Sequence, residues 1–294
     1  MCIASTTRLM RDSFKKHIFV SSCMELNEDL PFALQELKSE ENLSENVVDM
    51  LSHLLVDAVD KRVDDKVAIA FSGGVDSTLL AYLSEKLDRE FTLYTVGFAD
   101  SKDVLAAQTV ADMMDWSIKV RIIDLEDVEV LVKKVISITG KRDPVSVGVG
   151  CVMYCVLEMM QEQVLLTGLG SEELFAGYER HKGDVQAACW DGLLHIWERD
   201  ITRDLSLAGH FGKEIRLPFM DKELISYAMK IDPALKVGPF KKEILRKAAV
   251  NLGLREEFAY RKKSAAQYGS KFDFALEKLA KKKGLSKSEY LLQV

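Results

Sequence analysis

Residues 44–62 carry apolar side chains at Val47, Met50, Leu51, Leu54, Leu55, Ala58 and Val59. That spacing marks one face of an α-helix, and Ser44 is placed to cap its first turn. From Lys66 the pattern changes. Short apolar runs at 66–71, 91–96, 118–123 and 164–167 alternate with helical stretches at 76–87, 102–114, 126–138 and 147–161. Strand–helix alternation of this kind reads as βαβ crossovers, with 66–71 the candidate for a buried strand. After Gly183 strand signals fade and helices dominate to the C-terminus. The expected fold class is therefore α/β, a doubly wound, mostly parallel sheet with a helical C-terminal part. Three regions follow: 1–43 without a motif, 44–183 as the α/β part, and 184–294 as the helical part. Neither repeats nor low-complexity tracts interrupt them.

Composition narrows the classes of function. A chain of 294 residues that is 48% hydrophobic can bury a sizeable core. The net charge of -6 argues against a surface that wraps nucleic acid. Charge is uneven, however. Residues 25–49 are acidic, while 236–271 gather Lys241, Lys242, Arg246, Lys247, Arg261, Lys262 and Lys263. A local basic cluster on an acidic chain suits phosphate or pyrophosphate; standing alone it would read as a solvated helix face. Cys151 and Cys155 share a helix face, but two thiols do not complete a zinc shell, so the five cysteines read as reduced. No apolar run approaches the roughly 20 residues that span a bilayer. Arg8, Arg11, Lys15 and Lys16 lie among serines and threonines, but Asp12 and the lack of a periodic face speak against a targeting peptide. A cytoplasmic protein without a membrane contact is expected.

The clearest chemical signal is Ser72-Gly73-Gly74-Val75-Asp76-Ser77-Thr78, set directly between a strand and a helix. Two glycines let the backbone turn sharply and bring its N–H groups close to a ligand. The helix N-terminus adds partial positive charge, and Ser72, Ser77 and Thr78 add hydroxyls. An anion site follows from these features, against the plainer reading of a capped glycine turn. Neither a Walker G-x-x-x-x-G-K-[ST] nor a G-x-G-x-x-G fingerprint occurs.

This loop resembles the PP-loop of the N-type ATP pyrophosphatases, whose fold is adenine nucleotide alpha hydrolase-like. The resemblance implies that the loop holds the β- and γ-phosphates of ATP, which leave as pyrophosphate after attack on the α-phosphorus. Three more segments narrow the branch. Leu165-Leu166-Thr167-Gly168-Leu169-Gly170-Ser171-Glu172-Glu173-Leu174-Phe175-Ala176-Gly177-Tyr178 resembles the L-x-G-E-G-[SA]-D-E-L-F-G-G-Y signature of asparagine synthetase and β-lactam synthetase. Gly212-Lys213-Glu214-Ile215-Arg216-Leu217-Pro218-Phe219-Met220-Asp221 is similar to the E-x-R-x-P-F-L-D box. Lys242-Glu243-Ile244-Leu245-Arg246-Lys247-Ala248, then Arg261-Lys262-Lys263-Ser264-Ala265-Ala266-Gln267-Tyr268-Gly269-Ser270, matches the stretch where the family clamps pyrophosphate. The likeness runs from about Ser44 to Ser270, and its phrasing is most similar to asparagine synthetase domain-containing proteins.

By resemblance, Phe71, Ser72, Gly73, Gly74, Asp76, Ser77, Val96, Thr167 and Gly168 bind ATP. Asp76 and Glu172 hold Mg²⁺, Glu214 assists proton movement and Lys263 clamps pyrophosphate. Asp221 is expected to cap a helix that begins near Lys222. Two departures matter. Leu169 replaces a family glutamate, and leucine can neither move a proton nor hold an ammonium. Met1-Cys2 could supply an N-terminal nucleophile, but the roughly 150–200 residues of a glutaminase domain are missing from this sequence. The expectation is an ATP- and Mg²⁺-dependent, amide-forming ligase that adenylates a carboxylate and uses ammonia or an amine, with room for a separate glutaminase partner and a homodimer. Two alternatives stand beside it: a PP-loop enzyme that modifies tRNA, and a regulatory protein that binds nucleotide without chemistry.

Overall fold

The computed structural model describes residues 26–39, 41–178, 183–262 and 265–294. Five parallel strands form its sheet: β1 (Lys66–Ala70), β2 (Glu90–Gly97), β3 (Ile118–Ile122), β4 (Val164–Leu166) and β5 (Glu214–Arg216). Their order across the sheet is β3-β2-β1-β4-β5. The chain winds outward from β1 to β3, then returns to the other side of β1 as β4. The doubly wound, parallel expectation is therefore met, and its switch point lies between β1 and β4. In open α/β sheets, ligands bind beyond the carboxyl ends of the strands at such a point.

Helices follow from the same pattern. The N-terminal helices are α1 (Leu30–Gln35) and α2 (Val47–Asp60), the latter burying Val47, Leu51, Leu55, Ala58 and Val59. It begins three residues after Ser44, with Asn46 in a left-handed conformation at the cap position. Crossovers α3 (Val75–Lys86), α4 (Lys102–Met114), α5 (Leu125–Thr139) and α6 (Pro144–Met159) link the strands. The α6 helix starts earlier than apolar periodicity implies, because Asp143 accepts the Ser146 N–H at 2.8 Å and Pro144 is suited to the first turn.

After β4 come α7 (Ser171–Leu174), α8 (Val185–Leu194), a π-helical turn (Trp197–Ile201) and α9 (Thr202–His210). Beyond β5 lie α10 (Lys222–Ala228), α11 (Pro233–Lys236), α12 (Glu243–Asn251), α13 (Glu256–Ala259), α14 (Ala266–Gly269), α15 (Phe272–Lys282) and α16 (Lys287–Gln293). The expected cap is present: Asp221 accepts the Glu223 and Leu224 N–H groups at 3.0 and 3.2 Å. Its other oxygen receives the buried Arg62 at 2.9 Å.

The C-terminal part is not purely helical. It adds β5 to the sheet, and one contiguous apolar core runs from Leu26 to Leu291. A three-residue strand with only Ile215 apolar leaves no readable alternation. One buried polar group stands out in that core. Lys236 at the end of α11 is fully buried, and its Nζ has no hydrogen-bond partner. Burial pulls its pKa down from 10.5 to about 8.

Candidate active site

The loop after β1 is shaped by one close approach. Gly73 has φ +62°, and a Cβ there would lie 2.9 Å from the Ala106 carbonyl oxygen of α4. Glycine alone satisfies both demands. Gly74, in extended conformation, then caps α3 and accepts the Thr78 N–H at 2.9 Å. The Ser77 hydroxyl lies 3.3 Å from Ser72 N and 3.4 Å from Ser72 Oγ, and Gly74 N is 3.4 Å from Ser72 Oγ. These bonds are long and weak, so the donors are available to a stronger acceptor such as a phosphate oxygen. Thr78 is completely buried, so its hydroxyl does not join that surface.

Across the switch point, the loop after β4 supplies the second wall. Gly168 packs on Asp76, where an added Cβ would sit 3.0 Å from Asp76 Cβ. Thr167 is buried, and its Oγ1 accepts the Leu169 N–H at 3.4 Å. Between the walls lies a closed charge cluster. Lys242 Nζ is 2.8 Å from each Asp76 carboxylate oxygen, 2.8 Å from Glu172 Oε1 and 3.0 Å from Ser171 Oγ. Burial disfavours the ammonium, but Asp76 and Glu172 outweigh that and hold the Lys242 pKa above its ordinary value. Lys242 reaches the site from the residue before α12, where its backbone is left-handed at φ +60°.

A third piece locks the phosphate loop from outside. Arg261 donates through Nε to the Gly73 carbonyl at 2.6 Å and through Nη2 to the Ser72 carbonyl at 2.9 Å. Binding these carbonyls from behind turns the loop's N–H groups the other way, toward a ligand. Further along, Phe98 N–H donates to the Ser270 carbonyl at 3.2 Å, and Gly269 sits directly over the Asp103 carboxylate. Arg261 is thus pinned to the β1 loop, and Gly269 and Ser270 to the β2 side.

These contacts sort the expected site residues. Ser72, Gly73, Gly74, Asp76, Ser77, Thr167, Gly168 and Glu172 gather on the carboxyl edge of the sheet. Val96 is buried near the end of β2, and Phe71 is buried at the end of β1 with its ring edge-on to Trp116 at 6.3 Å. Lys263 lies outside the described residues. Glu214 is a correction. Its N–H bonds the Gln163 carbonyl and it aligns with Val164, the first residue of β4. In a parallel sheet this is the amino edge, about 10 Å of strand away from the site loops. There Glu214 pairs with Arg216 at 2.7 Å, and Arg216 also binds Asp64 at 2.7 Å, just before β1. These ion pairs tie β5 to the segment that leads into β1.

Sequence reasoning missed Lys242 and Arg261 as individual site residues. Both stand in the basic stretch, which was the available signal. Next to the cluster, Glu173 is fully buried and binds Arg199 at 2.6 Å, while its Oε2 has no hydrogen-bond partner. Burial raises the Glu173 pKa, against the pull of Arg199. Leu169 is half-buried and packs on the core.

The donor set fits a small divalent cation. Oxygens of Asp76 and Glu172 already face one cationic nitrogen at 2.8 Å. Mg²⁺ takes one or two protein carboxylates and completes its shell with water and phosphate. Among the described residues, no group of three or more His, Cys, Asp or Glu gathers as a self-sufficient metal site. No described helix is long and apolar enough to cross a membrane.

The chain resembles known proteins. The family model for asparagine synthase matches residues 50–205 and 183–291. A Methanocaldococcus jannaschii protein assigned by name to the glutamine-hydrolyzing asparagine synthetases is 32% identical over 83% of this chain and 53% of its own length. Human asparagine synthetase domain-containing protein 1 is 27% identical over 80% of this chain and 48% of its own. The chain spans about half the length of these relatives. Among solved structures, NMN synthetase from Francisella tularensis superposes with a TM-score of 0.41 at 16% identity, covering 85% of each chain.

Proposed function

The chain belongs to the asparagine synthase family, and on that premise we propose that it is an ATP-dependent ligase that joins a carboxylate to ammonia or an amine. A substrate carboxylate oxygen attacks the α-phosphorus of ATP, the bond to the β-phosphate bridging oxygen breaks, and pyrophosphate departs. The nitrogen nucleophile then attacks the acyl carbon of the adenylate, AMP leaves, and the nitrogen loses a proton.

One observation carries this reading: Asp76, Ser171 and Glu172 converge on Lys242 beside the Ser72–Ser77 loop, at the switch point. The loop's N–H groups receive the β- and γ-phosphates, and Arg261 keeps them turned that way. Asp76 and Glu172 would hold Mg²⁺, which would supply neutralisation of phosphate charge. Lys263 is retained as the pyrophosphate clamp on the strength of the family resemblance. Donors placed before the leaving group forms stabilise it without reorganisation.

The test is incubation of the protein with ATP, Mg²⁺, ammonia and a panel of carboxylates, followed by separation of the nucleotides. AMP and pyrophosphate in equal amounts are expected; ADP would overturn the proposal. Leu169 favours a second reading, nucleotide binding without transfer, because it places no proton acceptor at the family glutamate position. That reading expects saturable ATP binding and no AMP with any acceptor.

A further inference from the structure

Lys242 is engaged in an unusual way for a residue expected to meet phosphates. All three of its N–H donors are used on protein oxygens: Asp76 at 2.8 Å, Glu172 at 2.8 Å and Ser171 at 3.0 Å. Its side chain is 5% exposed, whereas that of Glu172 is 32% exposed. The ammonium is therefore the inner member of the cluster, and Glu172 forms its mouth. The same two carboxylates are the proposed metal ligands, so ammonium and divalent ion compete for one set of oxygens.

Space makes that competition strict. The turn at Gly177 closes over the pair, and a Cβ there would fall 1.7 Å from Glu172 Oε2 and 2.4 Å from Lys242 Cε. That backbone bars both side chains from the Gly177 side, so the way out of the cluster is toward the open cleft. The ammonium already opposes both carboxylates, and the Arg246 guanidinium acts on both electrostatically as well. A divalent ion added beside the ammonium would place two cations within a few ångström in a buried site, where repulsion is poorly screened. ATP changes the balance, because its phosphates offer the ammonium another anion within the same cleft.

We propose that Lys242 is a built-in cation that closes the Asp76–Glu172 pair to free metal and yields it only when nucleotide phosphates take up the ammonium, so that metal and nucleotide bind as a unit. This rests on the assignment of Asp76 and Glu172 as metal ligands in the proposed ligase. It implies that the protein does not hold a divalent ion between catalytic cycles. The left-handed backbone at Lys242 belongs to this device: it is a sparsely populated conformation for a non-glycine residue, and it directs the side chain inward from the start of α12.

The experiment measures Mn²⁺ binding by electron paramagnetic resonance on the whole protein, with and without α,β-methylene-ATP, which cannot release pyrophosphate. For the wild-type protein, the nucleotide analogue is expected to tighten Mn²⁺ binding at least tenfold. Lys242→Met, which keeps the stem and removes the charge, is expected to bind Mn²⁺ at least tenfold tighter than wild type without nucleotide. In that variant the analogue should tighten binding less than threefold. Equal wild-type Mn²⁺ affinity with and without the analogue would overturn the proposal, and this arm needs no variant. So would a folded Lys242→Met protein, verified by thermal melting, whose Mn²⁺ affinity matches wild type. Failure of the ligase assay leaves these binding curves unaffected, so the two ideas fail separately.

Discussion

Replacing Lys236 by methionine should stabilise the protein, and by an amount that depends on pH in a defined direction. The lysine is completely buried at the end of α11, and no acceptor receives its ammonium. Its pKa is lowered from 10.5 to about 8, first by burial, with a small opposing effect from Cys189. The unfolded chain therefore binds more protons than the native one between pH 8 and 10.5. Stability contributed by this group rises with pH through that window. Below pH 8 the folded protein carries the full penalty of a buried charge, about 3 kcal/mol at ~1.36 kcal/mol per pKa unit. At pH 9.5 the penalty shrinks to about 1 kcal/mol. Methionine fills nearly the same volume with no polar atom, so the stem's packing survives. Urea unfolding of both proteins at pH 7 and pH 9.5 reads the difference directly, and ionisation of other groups cancels in it. A gain of about 3 kcal/mol at pH 7 that falls to about 1 kcal/mol at pH 9.5 is expected. A variant no more stable than wild type at pH 7, or a gain of equal size at both pH values, would refute the reasoning.

Four further outcomes follow from the site. Gly177→Ala should weaken nucleotide binding by about tenfold, because the new methyl group displaces the Glu172 carboxylate and the Lys242 stem from their pairing; calorimetric titration with an ATP analogue reads this. Arg261→Lys replaces a two-pronged donor with a single point, loosening the phosphate loop; the KM for ATP should rise by about tenfold, with a smaller change in kcat. Asp76→Asn should lower kcat/KM by more than about a hundredfold, through loss of the proposed metal ligand and of the Lys242 ion pair. Glu214→Gln should leave kcat/KM within about twofold and cost about 1 kcal/mol of stability, since its partner Arg216 keeps Asp64. A catalytic loss in Glu214→Gln comparable to that of Asp76→Asn would restore Glu214 to the chemistry.

Much of the fold was legible because apolar-rich runs at β1, β2 and β4, and the alternating Ile118, Val120 and Ile122 of β3, are separated by helical stretches, a pattern with few competing solutions. The phosphate loop was legible because two glycines between a strand and a helix have a local physical meaning. What escaped was set by register and by distance along the chain. Glu214 stands in a well-marked box, but only the alignment of β5 with β4 shows that it points to the amino edge. Lys241 and Lys242 are chemically identical in the sequence; the left-handed backbone at Lys242 decides which one turns inward. Arg261 binds backbone carbonyls, and no side-chain pattern records such a partner. Ser44 looked like a helix cap, yet α2 begins beyond its reach.

Arg261 also ties the proposed chemistry to how the chain assembles. It bridges 188 positions to reach Gly73, and Lys242 bridges 166 to reach Asp76. Contacts of such separation form only after long stretches between them have been ordered. A chain still emerging in synthesis has neither Lys242 nor Arg261 until its last part is made. The proposed nucleotide site is thus completed late, and nucleotide binding, if the proposal holds, reports that the far C-terminal part has folded home.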